Sequence, residues 1–157
     1  RYQGGARGIL YCSQVSTGEE NALRLRVYGT TGSVDWRQED PHVLVVRRPD
    51  APEQVMRHGN GYLAPAARHN LRVPAGHPEA FLEAFANVYA NAIRTIGARL
   101  AGETPDPLDL DFPTVQDGAV GVHFIHAALE SGRQGAAWVD AAYVAPGAEG
   151  APSTGEG

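Results

Sequence analysis

Alternation of apolar and polar positions dominates the first part of the chain. Leu23, Leu25 and Val27 alternate with Arg24, Arg26 and Tyr28, which predicts a strand with one apolar and one polar face. Gly29-Thr30-Thr31-Gly32 supplies two residues free to take positive φ, and Ser33–Gln38 runs back as a second strand, so Asn21–Gln38 reads as a hairpin. Arg7–Val15 is apolar on both faces, with Ile9, Tyr11 and Val15 against Leu10 and Cys12, as in a central strand. His42–Arg47 is two-faced in the same way, and Glu53–His58 is a weaker strand pattern. Turn formers separate these runs: Ser16-Thr17-Gly18, Glu39-Asp40-Pro41 and Pro49-Asp50-Ala51-Pro52. Close spacing and short turns predict a largely antiparallel meander.

Gly59–Gly76 reads as a long irregular connection, and loops of that length in compact domains are often functional. Beyond it the period changes. Pro78 suits the first position of a helix running to Leu100, with His77 as its N-cap and Glu79 and Glu83 near the positive end of the dipole. Phe81, Leu82, Phe85, Val88, Tyr89, Ala92, Ile93, Ile96 and Leu100 form one apolar stripe. Burying such side chains at about 1.5–3 kcal/mol each would give a gross term on the order of ten to twenty kcal/mol. Gly102 to Pro107 ends this helix. A second begins after Pro113 at Thr114, which stands in capping-box relation to Asp117, with Val115, Ala119, Val122, Ile125 and Leu129 as its stripe. Gly132–Gly135 closes it, and Ala137–Ala141 suggests a short edge strand around Trp138.

Strands followed by helices predict an α+β fold: an open, largely antiparallel β-sheet with helices packed on one face. The opposite face would display Arg24, Arg26, Tyr28, Asp35 and Arg37, a surface that can be solvated or can pair with another subunit. The expected domain spans 1–144. Residues 145–157, rich in Gly, Ala, Pro, Ser and Thr, have little to bury and read as a flexible tail.

At 157 residues the chain is long enough for one domain with a real core. Its net charge of −5 argues against nucleic acid or an anionic membrane as partner. Cys12 is alone, so no intrachain disulfide forms, and a thiol in a strand behaves as a small hydrophobe. No apolar run approaches the ~20 residues needed to span a bilayer. No signal peptide is visible, and a cytoplasmic location is the default expectation.

Among candidate residues His77 is the sharpest. At a helix N-cap its ring would meet partly positive amides at the end of a long loop, which suits a neutral hydrogen-bond partner for a substrate hydroxyl. The alternative is a histidine that only fixes the loop-to-helix corner. Gln14, Glu20 and Asn21 flank the loop after the first full strand, where polar side chains can read sugar hydroxyls. Trp36 offers a stacking platform for a pyranose face, or else belongs to the core. His123 and His126 stand three apart on one helix, but no third ligand or HExxH supports a metal, and a polar helix edge is the simpler account. His42, His58 and His69 are scattered and suggest nothing together. Adjacent Glu19 and Glu20 point apart in extended chain and make a poor acid–base pair. No Ser-His-Asp order or nucleophile elbow is present.

Three stretches, taken in order, carry a resemblance: ARGILYCSQVSTGEENALRLRVYGTTGSVDW, RVPAGHPEAFLEAFANVYANAI and FPTVQDGAVGVHFIHAAL. They resemble the C-terminal domain of the Gfo/Idh/MocA family, NAD(P)-dependent oxidoreductases acting mostly on sugars and cyclitols. In that family a lysine from a Glu-Lys-Pro stretch of the N-terminal domain sits beside the nicotinamide; this chain has thirteen arginines and no lysine, an imbalance that fits a GC-rich genome. Nor does it contain a Gly-x-Gly-x-x-Gly turn between strand and helix; Gly59-Asn60-Gly61 is too short. Arg1-Tyr2-Gln3 before the Gly4-Gly5-Ala6 turn reads as the inside of a strand, so the chain is expected to be a piece of a larger enzyme.

The resemblance implies the substrate-side and oligomerisation domain of an oxidoreductase acting on a sugar, cyclitol or related polyol. His77, Gln14, Asn21 and Trp36 would face the substrate. NAD or NADP would be held by the rest of the enzyme and not by this chain alone, and no catalytic or metal-binding residue is assigned here. Self-association through the open sheet, to a dimer or tetramer, is the expected partnership. The competing expectation is a non-catalytic self-associating or ligand-binding module built on the same sheet.

Overall fold

The computed structural model describes residues 1–2 and 4–146. Four strands come first, β1 (Arg24–Tyr28), β2 (Ser33–Arg37), β3 (Val43–Arg47) and β4 (Gln54–Arg57). Helices α1 (Pro65–His69), α2 (Phe81–Leu100) and α3 (Val115–Arg133) follow, with a 3-10 turn at Pro107–Leu110. The class is α+β, as the order of patterns predicts. Two compact units divide the chain, Arg1–Ala84 and the remainder from Phe85.

The sheet is an antiparallel meander in the order β1-β2-β3-β4. Its register pairs Leu25 with Trp36 and Val27 with Val34, then Trp36 with Leu44, Val34 with Val46, and Leu44 with Met56. Period two therefore gathers these apolar residues on one face. Arg26 lies opposite Asp35, and Asp35 opposite Val45, on the other. In the β1–β2 turn neither glycine takes a positive φ. Gly32 is needed for another reason: a Cβ there would stand 2.6 Å from the Arg47 carbonyl oxygen.

Two expected strands are not strands. Residues 7–15 run without a ladder partner among the described residues, and Ile9 is fully exposed. Ala137–Ala141 likewise forms no strand, and Trp138 is exposed. Alternation marks a segment that can join a sheet, but backbone groups still need a neighbouring ladder to satisfy them.

Helix α2 begins at Phe81, three residues later than Pro78, and His77 is not its N-cap. A Glu83 carboxylate oxygen reaches back to accept the Ala80 N–H at 2.9 Å, and the Ala84 N–H bonds the Ala80 carbonyl at 2.9 Å. That reciprocal closure sets the start, and the same N–H holds the Glu83 carboxyl below its usual range. The apolar stripe of α2 is exposed: Phe85, Tyr89, Ile93 and Ile96 all face solvent. Its buried positions are polar, Asn91 and Thr95, each 1% exposed. Asn91 Nδ2 donates to the Asp111 carbonyl at 3.1 Å and Thr95 Oγ1 to the Asp109 carbonyl at 2.9 Å. Arg94 Nε bonds the Asp109 carboxylate at 2.5 Å. No hydrophobic side chain is buried among the described residues, so the burial term expected of the stripe is not realised within this chain.

Helix α3 starts where its cap predicts. Thr114 Oγ1 accepts the Asp117 N–H at 3.3 Å while Asp117 Oδ2 accepts the Thr114 N–H at 2.8 Å. The connection between β4 and α2 is less irregular than expected, since it contains α1. The expected tail at 145–157 falls, from residue 147 onward, outside the described residues.

Candidate functional site

The most constrained polar cluster lies where the long loop leaves and rejoins the sheet. Val43 pairs with Arg57, so the next residues outward, His42 and His58, also stand opposite one another. The His58 N–H donates to the His42 carbonyl at 3.1 Å, and the two rings lie 4.2 Å apart at 31°. Asn60 Nδ2 then ties the chain back, donating to the carbonyls of Arg57 at 3.1 Å and His58 at 3.0 Å. The Tyr62 hydroxyl accepts the Arg57 N–H at 2.7 Å and donates to its carbonyl at 3.1 Å.

The far end of the loop returns to the same place. Gly59, at φ 73°, lies so close to Ala75 that a Cβ would meet its backbone nitrogen at 2.5 Å. Four residues beyond Ala75, one Glu79 carboxylate oxygen accepts the Arg72 N–H at 3.0 Å. The other stands 3.6 Å from His58 Nδ1. Glycine is required at 59 both for its φ and for this approach.

His77 sits between Ala75 and Glu79, exposed, with its N–H on the Pro74 carbonyl at 3.2 Å and Nδ1 3.4 Å from the Ala75 carbonyl. It is thus presented by the base of the loop and not by a helix N-terminus. Asn21 and Trp36 share a different corner. Gln38 bonds the Leu23 carbonyl through its N–H at 2.9 Å and the Asn21 carbonyl through Nε2 at 3.1 Å, next to Trp36. Trp36 is half-buried and its Nε1 donates to the Pro41 carbonyl at 3.1 Å. Gln14 is exposed in the unpaired 7–15 segment. No hydrogen bond among the described residues joins Gln14, Asn21, Trp36 and His77 to one another.

On the polar sheet face Asp35 is buried, at 7% exposure. Arg24 grips it with Nε at 2.9 Å and Nη2 at 2.5 Å, and Arg47 stands 3.6 Å away. The hydrogen-bonded Arg24 guanidinium pulls the Asp35 carboxyl down to about 2. Arg47 also pairs with Glu53 at 2.7 Å.

In the second unit His123 and His126 border an open groove of about 650 Å³ with Val115, Ala119, Val122 and Tyr143. The His123 ring meets Tyr143 edge-on at 5.7 Å. No group of three His, Cys, Asp or Glu side chains among the described residues is placed to hold a metal ion. None of their helices is long and apolar enough to cross a membrane.

His42 and His58, scattered in the sequence, are a pair in the fold. Once strands are assigned to 43–47 and 54–57, hairpin register alone places them opposite; the contribution of Glu79 has no comparable signal, because it arrives across the long loop.

No family model matches the chain. It is 28% identical over 139 residues to the uncharacterized oxidoreductase YfiI of Bacillus subtilis (strain 168), covering 88% of this chain and 35% of that protein. Among solved structures it is similar to an oxidoreductase from Sinorhizobium meliloti, with TM-score 0.81 and 39% identity over 89% of this chain and 38% of the other. It is also similar to an inositol dehydrogenase homolog from Azotobacter vinelandii, complexed with NADH and myo-inositol, with TM-score 0.76 and 34% identity over 88% of this chain and 37% of the other. The chain therefore spans little more than a third of the length of these relatives, and over that part its homologues are oxidoreductases.

Proposed function

We propose that this chain is the substrate-side and oligomerisation domain of a Gfo/Idh/MocA-type, NAD(P)-dependent oxidoreductase acting on a sugar, cyclitol or related polyol. One observation carries this: nearly nine-tenths of the chain aligns, at 34% identity and TM-score 0.76, with a dehydrogenase homolog solved with NADH and myo-inositol. The described residues of this chain lack the framework of a pyrophosphate-binding turn. Its described strands are joined as antiparallel hairpins, whereas a pyrophosphate-binding turn needs a strand running into a helix in a parallel βαβ unit. The nucleotide is therefore assigned to the remainder of the full-length protein.

What this chain contributes is recognition. His77 at the loop base, Gln14 on the extended segment, and Asn21 and Trp36 at the β1–β2 corner offer hydroxyl partners and one stacking face. Trp36 keeps its ring for stacking, because its N–H is already engaged by Pro41. The open sheet is the self-association surface, with Arg24 and Arg26 on the face concerned.

The test is spectrophotometric. Full-length protein, given NAD or NADP and a panel of inositols and aldoses, should produce reduced nicotinamide, while this chain alone should neither bind the dinucleotide nor turn over. Full-length protein that binds no nicotinamide cofactor would overturn the enzymatic reading. It would favour the alternative of a self-associating or ligand-binding module.

A further inference from the structure

We propose that His58 and Glu79 form a buried latch that holds the base of the 59–79 loop and thereby positions His77; only the consequence for substrate rests on the function proposed above. The side chains are 16% and 9% exposed. His58 Nδ1 and Glu79 Oε1 are both shielded from solvent, and neither has a hydrogen-bond partner. They stand 3.6 Å apart, just beyond hydrogen-bond length. A buried carboxylate oxygen and an imidazole nitrogen left unpaired are each costly, and the nearest relief for either is the other.

The surroundings make this a positioning device and not a chance approach. Glu79 already spends its second oxygen on the Arg72 N–H at 3.0 Å, so the carboxylate fixes two points of the loop at once. His58 is held by the His42 ring at 4.2 Å and by the β3–β4 ladder bond at 3.1 Å, so it cannot retreat. The Gly59–Ala75 approach seals the other side of the base. His77 has an anchored residue two positions away on each side, Ala75 and Glu79. An exposed side chain between two anchors is kept at a defined place while its ring stays free to meet a ligand. Slackening either anchor would let the imidazole wander without unfolding the sheet that carries it.

The experiment uses the full-length protein with Glu79→Ala, Glu79→Gln and His58→Ala. The readouts are hydrogen exchange over residues 59–79 and steady-state kinetics with the preferred polyol. Glu79→Ala and His58→Ala should each raise exchange across the loop by tenfold or more while leaving the β1–β3 amides protected. Glu79→Ala also removes the acceptor of the Arg72 N–H, so the double variant should be no worse than Glu79→Ala alone, the contact with His58 being lost in both. Glu79→Gln, which retains an acceptor for the Arg72 N–H, should recover most of the protection. In kinetics the alanine variants should raise KM for the polyol about tenfold, with KM for the nicotinamide cofactor and kcat nearly unchanged. Unchanged loop exchange in both alanine variants overturns the latch. A loosened loop with an unaltered polyol KM sustains the latch and overturns the placement of His77 at the substrate. Should the wild-type protein show no oxidoreductase activity, the proposed function fails and the exchange readout still decides the latch.

Discussion

Helix α2 inverts the usual relation between burial and chemistry, and a pair of substitutions tests it. Thr95 is 1% exposed and its hydroxyl donates to the Asp109 carbonyl at 2.9 Å. Thr95→Val keeps the shape and removes the buried hydroxyl that donates to that carbonyl, at about 1–3 kcal/mol. Ile93, on the same helix, is 67% exposed. Full burial would make Ile→Ala worth about 2–5 kcal/mol, so one-third burial leaves about 1 kcal/mol. Thr95→Val should therefore be the more damaging change although it deletes no carbon. At about 2–4 °C per kcal/mol for a chain of this size, a loss of about 2 kcal/mol lowers the midpoint by about 4–8 °C. Because the chain forms two units, global melting should be paired with hydrogen exchange at the α2 amides. Thr95→Ser, which restores the hydroxyl, should lie near wild type. An Ile93→Ala variant that loses as much as Thr95→Val, or more, would refute the polar account of how α2 is held.

The Asp35 carboxyl titrates at about 2 in the folded chain, below its value of 3.8 when free, so its contribution to the sheet is complete above about pH 4 and fades as pH falls toward 2. Amide protection in β1 and β2 followed from pH 5 to 2 should drop across that window in wild type and show no such step in Asp35→Asn. Thr114→Ala should cost about 0.5–2 kcal/mol and fray the first turn of α3, seen as faster exchange near Gly118 with the sheet untouched. If the open sheet is the interface, charge reversal at both Arg24 and Arg26 should shift the sedimentation of the full-length protein toward monomer. A distribution unmoved by that change would exclude this face.

What was legible in the sequence divides by the range of the interaction. The β1–β2 and β3–β4 hairpins and the Thr114 cap depend on residues a few positions apart, and their patterns are local. The start of α2 is less legible because two local signals compete. Pro78 is a good first residue, but Glu83 closes on Ala80 and so the helix begins after it. The 7–15 segment has the right alternation, yet alternation says nothing about whether a ladder stands beside it. At the site, His77 was visible as a loop-end histidine. Its real supports, the Gly59–Ala75 approach and the His58–Glu79 pair, join residues sixteen and twenty-one positions apart (75 minus 59, 79 minus 58).

One asymmetry ties the fold to the proposed role. The fully buried side chains of α2 are polar, whereas Phe85, Tyr89, Ile93 and Ile96, the residues that hydrophobicity would drive inward, stand in water. Contiguous exposed apolar surface is uncommon on a free-standing soluble domain and marks surfaces that meet another surface. Truncating such residues should therefore matter least in this chain studied alone and most in the full-length protein. If Phe85→Ala costs about 1–2 kcal/mol in the former, in proportion to its partial burial, but about 3–5 kcal/mol in the latter, as for a buried aromatic, the stripe is core that the rest of the protein completes. If the substitution is equally mild in both, the stripe stays open, and the apolar period of α2 serves neither folding nor assembly. Thermal unfolding of the same variant in the two contexts separates these outcomes.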